Sequence, residues 1–291
     1  MKITTIKKDK RIQKVIETLQ MGARSEKTIK NYVYAIYRFL TYFEGKDISK
    51  LKERDIIEYI QTAYLKKNCS VHTYNTNMSA IKYFYAINFG KEFNSKLLPH
   101  AKLTKRLPTT IEKETFLKIL NTEKSLKHKC WLLLAYCSGL RAEEVATIEI
   151  KNIFADEHKL KILGKGNKER YTFLPDITIK YMRLYYKSEY YDTGLYVRKN
   201  HSGYLFEGYY KLKHINSSTV VNYFTHIKRK YHLDENITFH SLRHSFATNY
   251  LKAGGDTFAL KSMLGHSSLN TTSIYVHTGR DFNNLKGVKY E

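Results

Sequence analysis

Two stretches of this sequence concentrate side chains suited to phosphate chemistry. Residues 240–278 hold His240, Arg243 and His244, then His266 behind a glycine, then Tyr275 nine residues further on. His240 and Arg243 are three apart and share one side of a helix, with His244 on nearly the same side. Upstream, Arg141 follows the apolar run WLLLAYCSGL and precedes Ala142-Glu143-Glu144-Val145. An arginine at the buried end of such a helix needs a partner, and Glu143 or Glu144 is close enough to orient it. Lys165 stands in the turn Gly164-Lys165-Gly166-Asn167, where glycines let the backbone approach a ligand closely. Each residue also has a plainer reading: Arg141 as a structural ion pair, Lys165 as a solvated turn lysine.

A metal site is the first alternative to weigh, because His240 and His244 have i, i+4 spacing and His266 could complete a set. The glutamate of the H-E-x-x-H pattern is missing, however, and Arg243 would repel a cation. Two arginines, a lysine and two histidines converging without carboxylate ligands describe a phosphate site, so neither metal nor cofactor is expected. Tyrosine is a poor nucleophile at its free pKa of about 10, but neighbouring cations favour the phenolate. Its attack on a phosphodiester gives a phosphotyrosine and splits the reaction into two transesterifications. Arginines would hold the nonbridging oxygens and stabilise the transition state, while a lysine or histidine protonates the leaving alkoxide. No external energy source is needed, since the bond energy stays in the covalent link.

Composition points the same way. At 291 residues with 42% hydrophobic content, the chain has the length and apolar content for two domains with real cores. Fifty Lys and Arg against 27 Asp and Glu leave a net charge of +23, a field that attracts polyanions. A lysine-rich compositional bias is the competing explanation of that excess. No stretch approaches the roughly 18 uninterrupted apolar residues of a spanning helix, so no membrane role is expected. The N-terminal MKITTIKKDKR lacks the apolar run of a secretory signal. Cys69, Cys130 and Cys137 are odd in number and show no CxxC spacing, which suits a reducing cytoplasm.

The elements that must position these groups are mostly helical. Apolar residues recur at helical spacing over residues 14–21, 25–43 (after an N-cap at Ser25), 53–66 and 70–88, giving a helical bundle in the first 95 residues. Residues 98–110, LPHAKLTKRLPTT, carry two of the three prolines among basic residues and read as a linker. Helices follow at 112–121 and 127–138. Residues 158–175 are the one clear β feature: runs at 160–163 and 171–174 flank the Lys165 turn as a hairpin. A helix at 242–253 closes at Gly254-Gly255, and another, capped by Asp256 or Thr257, ends at Gly265. Tyr275 falls in a further short segment of helical character.

Taken together, Ser138-Gly139-Leu140-Arg141-Ala142-Glu143-Glu144-Val145, the hairpin GKGNKERYTFLP, His240-Ser241-Leu242-Arg243-His244, Leu264-Gly265-His266 and Tyr275 occur in one order and spacing. In these residues the chain resembles the tyrosine recombinases, the integrase family, and among them the compact Xer-like members. The resemblance implies a mainly α, two-domain fold closing as a C-shaped clamp on DNA. Residues 1–97 would form a SAM-like core-binding domain, 98–110 the linker, and 111–275 an α-rich catalytic domain with a small antiparallel sheet. Residues 276–291 would form a tail that docks on a neighbouring protomer through Val276, Phe282, Leu285 and Val288, or packs in cis. Arg141 and Arg243 would bind the scissile phosphate, Lys165 would act as general acid, and His240 and His266 would assist proton transfer. Tyr275 would form the 3′-phosphotyrosyl link, Glu144 would support Arg141, and His244 would be structural. The implied partner is double-stranded DNA with an inverted-repeat core site, bound by a homotetramer on paired sites and by a monomer or dimer when free, with accessory proteins in some settings. Resolution of chromosome or plasmid dimers and movement of a mobile element share this chemistry. A non-enzymatic helix-turn-helix regulator is the rival from another class, because residues 251–272 also read as that motif.

Overall fold

The structure is a computed structural model that describes residues 9–65, 69–94, 96–102, 108–164, 169–190, 202–208 and 213–265. Lys165, His266, Tyr275 and the 276–291 tail lie outside the described residues. The chain divides into two compact units, Met1–Lys105 and Arg106–Glu291.

In the first unit α1 (Lys10–Met21), α2 (Glu26–Tyr42), α3 (Glu53–Ile60) and α4 (Val71–Phe89) enclose one apolar cluster. Ser25 caps α2 as expected, its hydroxyl accepting from the Thr28 N–H, and Ser70 does the same for α4 through Thr73. Helix α1 begins four residues before the expected 14–21 segment, because the Asp9 carboxylate accepts the Arg11 N–H at 2.8 Å and sets the start there. The expected 53–66 helix changes pitch, with α3 passing into a π-turn at Gln61–Leu65. Phe39 anchors the core, edge-on to Phe43, Tyr59 and Tyr85 with centroids 5.1, 5.2 and 5.9 Å away. The buried Tyr85 hydroxyl donates to the Ile48 carbonyl, so its polar tip is satisfied inside the core. Within the 98–110 segment, Leu98 is buried in this cluster, and the Asn75 side chain brackets Ala101 with two hydrogen bonds.

The second unit contains α5 (Lys113–Thr122), α6 (Leu126–Ser138), α7 (Ala142–Ala146), β1 (Ile153–Phe154), β2 (Lys159–Leu163), β3 (Glu169–Phe173), α8 (Asp176–Tyr190), α9 (Ser217–Lys230), α10 (Phe239–Lys252) and α11 (Thr257–Leu264). Helix α6 is its axis: every residue from Cys130 to Ser138 is buried, and the helix packs against both α8 and α10. A helix apolar on all faces belongs inside the core, where each fully buried large side chain contributes about 1.5–3 kcal/mol. The strands form an antiparallel sheet ordered β1-β2-β3, with Lys161 opposite Tyr171 and Ile162 opposite Arg170. The expected hairpin is present, but β1 extends it into a three-stranded sheet. Alternation along β3 turns Arg170 and Thr172 inward and leaves Glu169, Tyr171 and Phe173 exposed. The Thr172 hydroxyl donates to the Ser138 carbonyl at 2.8 Å, pinning the sheet to the end of α6. No described helix is long and apolar enough to cross a membrane.

Candidate phosphate-binding site

The described residues expected to act on phosphate come from two places in the second unit, the turn after α6 and the start of α10, and the end of α11 packs beside them. Gly139 ends α6 in the left-handed conformation at φ 71°, turning the chain so that Arg141 begins α7. Glu144 reaches back across that first turn and accepts the Arg141 N–H at 2.8 Å, half of a capping box. The same carboxylate accepts the Arg141 guanidinium, Nη1 to Oε1, at 2.8 Å. Glu144 is therefore the partner of Arg141, while Glu143 is exposed.

Helix α10 is capped by Thr238 and carries His240 and Arg243 in its first turns. Arg243 is 1% exposed. Its Nη1 donates to the Gly139 carbonyl at 2.6 Å and its Nη2 to the Leu264 carbonyl, tying α6, α10 and α11 together. Nη1 also lies 3.6 Å from Glu144 Oε2. Arg141 departs from expectation here. Its side chain is 40% exposed, so it is the outward member of the group, and the fully buried arginine is Arg243. The physical reason is the turn at Gly139, which carries the chain from the buried end of α6 to the surface before position 141.

A third arginine joins them that the sequence reading does not single out. Arg170, on the inward face of β3, grips Glu144 end-on, with Nη1 to Oε1 at 2.9 Å and Nη2 to Oε2 at 2.8 Å. Its Nε donates to the Met263 carbonyl at 2.7 Å. Burial alone would raise the Glu144 pKa, but hydrogen bonds and charge from Arg170, the Arg141 N–H and the Arg243 charge outweigh it and hold the carboxyl below its usual value. Three guanidiniums thus surround one carboxylate, leaving a net charge of +2 before any histidine is counted.

His240 sits on the rim of this cluster, its ring edge-on to His244 with centroids 4.6 Å apart. It is open to solvent on one side, yet enough protein crowds it to penalise the imidazolium, and Arg243 and Arg141 repel a further positive charge. Its pKa is drawn down to about 4, with Glu144 opposing the shift. At neutral pH the ring is therefore uncharged and able to accept a proton. The structure brings Arg141, Glu144, His240 and Arg243 together; positions 165, 266 and 275 lie outside the described residues. Among the described residues, no group of three or more His, Cys, Asp or Glu is placed to hold a metal ion. An anion at the exposed face of Arg141 would meet a guanidinium held by one carboxylate and backed by two buried positive charges.

Known proteins resemble this chain along most of its length. Residues 109–280 match the phage integrase family and residues 12–94 match the phage integrase N-terminal SAM-like domain. The chain is 30% identical to tyrosine recombinase XerA of Pyrococcus horikoshii, over 88% of this chain and 85% of that one. It is 27% identical to a tyrosine recombinase of Thermosipho africanus, over 87% and 89% of the two chains. In fold it resembles XerH recombinase in its post-cleavage complex with a palindromic difH substrate, with a TM-score of 0.69 and 22% identity over 87% of this chain and 76% of that one. It also resembles a lambda integrase dimer bound to a COC′ core site, with a TM-score of 0.71 and 16% identity over 95% and 98% of the two chains. These matches do not favour the rival reading of a non-enzymatic regulator, although α10 and α11 do form two helices joined by a glycine turn. The chain belongs to the phage integrase family and is a tyrosine-type site-specific recombinase.

Proposed function

We propose that this recombinase cuts and rejoins double-stranded DNA through a 3′-phosphotyrosyl bond at Tyr275. The Tyr275 oxygen attacks the scissile phosphorus, a phosphorus–oxygen bond forms, and the bond to the 5′-oxygen breaks. Lys165 delivers the proton that this leaving oxygen takes up, while His240 and His266 assist the transfer and contact the phosphate. Arg141 and Arg243 hold the nonbridging oxygens as charge builds in the transition state. Rejoining is the reverse attack by a 5′-hydroxyl of the partner strand, so the cycle requires neither cofactor nor nucleotide.

The observation that carries this reading is the Glu144 cluster: three arginines on one carboxylate, with Arg141 facing solvent and an uncharged His240 beside it. An uncharged imidazole can receive the proton that Tyr275 gives up on attack, and a phosphate bound beside it would raise its basicity for that step.

The molecule in this reading is divided as a core-binding domain over 1–97, a linker over 98–110, a catalytic domain over 111–275 and a tail over 276–291. It acts in the cytoplasm as a homotetramer on two paired inverted-repeat sites, with the tail docking between protomers. Its role is the resolution of DNA dimers or the integration and excision of a mobile element. Strand exchange between two such sites on one plasmid tests the reading: a family of deletion or inversion products should appear, and should vanish with Arg141→Ala. DNA bound tightly but recovered unrearranged would support a regulator instead.

A further inference from the structure

We propose that Arg170 is a positioning residue for strand cleavage: by gripping both oxygens of Glu144, it stops that carboxylate from closing a two-bond fork on Arg141, the outward-facing guanidinium, or on Arg243. The inference rests on the function proposed above and assigns a role to a residue of the hairpin motif to which that function gives none.

The argument starts from what a carboxylate would do among three guanidiniums. Left to itself, Glu144 would pair through both oxygens with Arg141, its neighbour across one helical turn, or with Arg243, whose Nη1 is 3.6 Å away. Either fork would occupy two N–H groups that a phosphate needs, since bidentate pairing is the strong geometry for guanidinium with carboxylate and phosphate alike. The observed geometry avoids this. Both Glu144 oxygens are taken by Arg170, and Arg141 is left with a single side-chain bond to Oε1. Nε and Nη2 of Arg141 then have no partner among the described residues, and its side chain is 40% exposed.

Arg170 can hold this post because its own position is fixed three ways. It lies on the inward face of β3 opposite Ile162, its side chain is 8% exposed, and its Nε is spent on the Met263 carbonyl. Its stem also lies so close to Gly265 that a Cβ there would come within 2.8 Å of the arginine Cδ. Gly265 further needs its positive φ of 64°, so the backbone just before His266 is shaped around this side chain. Arg170 and Arg243 together cap two successive carbonyls, Met263 and Leu264, at the end of α11. One arginine thereby sets the charge balance of the site and the point from which the chain proceeds to His266.

The test compares Arg170→Met, which keeps the apolar stem, with Arg170→Lys, Glu144→Gln and the pair Arg170→Met/Glu144→Gln. The readouts are the single-turnover rate of covalent adduct formation on a nicked duplex, duplex affinity, and urea unfolding. Arg170→Met should slow cleavage about 100-fold while affinity changes less than about threefold, and Arg170→Lys should recover part of the rate. In the Glu144→Gln background, the same change should slow cleavage further by less than about threefold, because its target is gone. A merely structural arginine would instead lower the unfolding midpoint and leave the rate of the folded fraction intact. Wild-type cleavage by Arg170→Met, or full multiplication of the two effects, overturns the inference and leaves the proposed function standing. A wild-type protein that never forms an adduct overturns the function and the inference with it. Additivity of the two changes in urea unfolding overturns the Glu144 linkage independently of any activity.

Discussion

At the scale of the residue, the site is governed by the ratio of positive groups to one carboxylate. Burial first, and then that ratio, make His240 neutral, and the effect has a definite sign. Desolvation of its ring disfavours protonation most, Arg243 and Arg141 disfavour it further, and Glu144 favours it; His244 is its ring neighbour. His240 should titrate near 4 in the free protein, which proton NMR of the histidine ring can follow. In the proposed complex a DNA phosphate lies against the same guanidiniums, so duplex binding should move the midpoint upward. Because the folded value lies below the unfolded value of about 6.5, the unfolded chain takes the proton first as the pH falls. Folding stability should therefore decline from about pH 6.5 toward 4, and His240→Gln should flatten that part of the curve. A free-protein midpoint close to 6.5 would contradict the electrostatic account.

Elements decide where these residues can stand, and here glycine and strand register do most of the positioning. Gly139 has φ 71°, and a Cβ there would lie 2.5 Å from Phe246 Cδ1 and 2.9 Å from Leu264 Cδ2. Gly139→Ala should therefore lose about 2–4 kcal/mol in denaturant unfolding, through both the left-handed backbone and the clash. A loss under about 0.5 kcal/mol would mean that the turn can move freely, against the packing described. The serine caps at positions 25 and 70 and the glycine stops at 139 and 265 place much of the fold in the sequence itself, because each satisfies a local rule of helix ends. Helix α9 is hidden there by its opening Ser-Ser-Thr-Val-Val, poor helix formers overridden by burial of Val220, Phe224 and Ile227. In α8 the tyrosines blur the apolar stripe, and β1 is only two residues long, too short to show a period. Arg170 escapes notice for a related reason. Reading β3 from Tyr171 leaves the arginine in the turn; starting it at Glu169 puts a charge at an inward position, the signal of a buried ionic partner. Motif order, by contrast, makes Arg141, Glu144, His240 and Arg243 legible without structure, though the outward position of Arg141 emerges only with the turn after Gly139.

On the scale of the whole molecule, a net charge of +23 sets how the protein meets DNA before any chemistry begins. If six or more phosphates are contacted, affinity should fall about 1,000-fold between 50 and 200 mM salt, measurable by fluorescence anisotropy with a labelled duplex. A change below about tenfold would assign the charge to composition rather than to an interface. The central claim concerns chemistry rather than binding: an arginine cluster ordered by Glu144 prepares a phosphodiester for attack by one tyrosine among 25. Its most direct test is to trap the protein on a nicked duplex containing its site, digest the denatured adduct, and locate the nucleotide by mass spectrometry. The account predicts a 3′-phosphonucleotide on Tyr275 and no adduct from Tyr275→Phe. Attachment to any other residue, or an adduct that survives Tyr275→Phe, would contradict it.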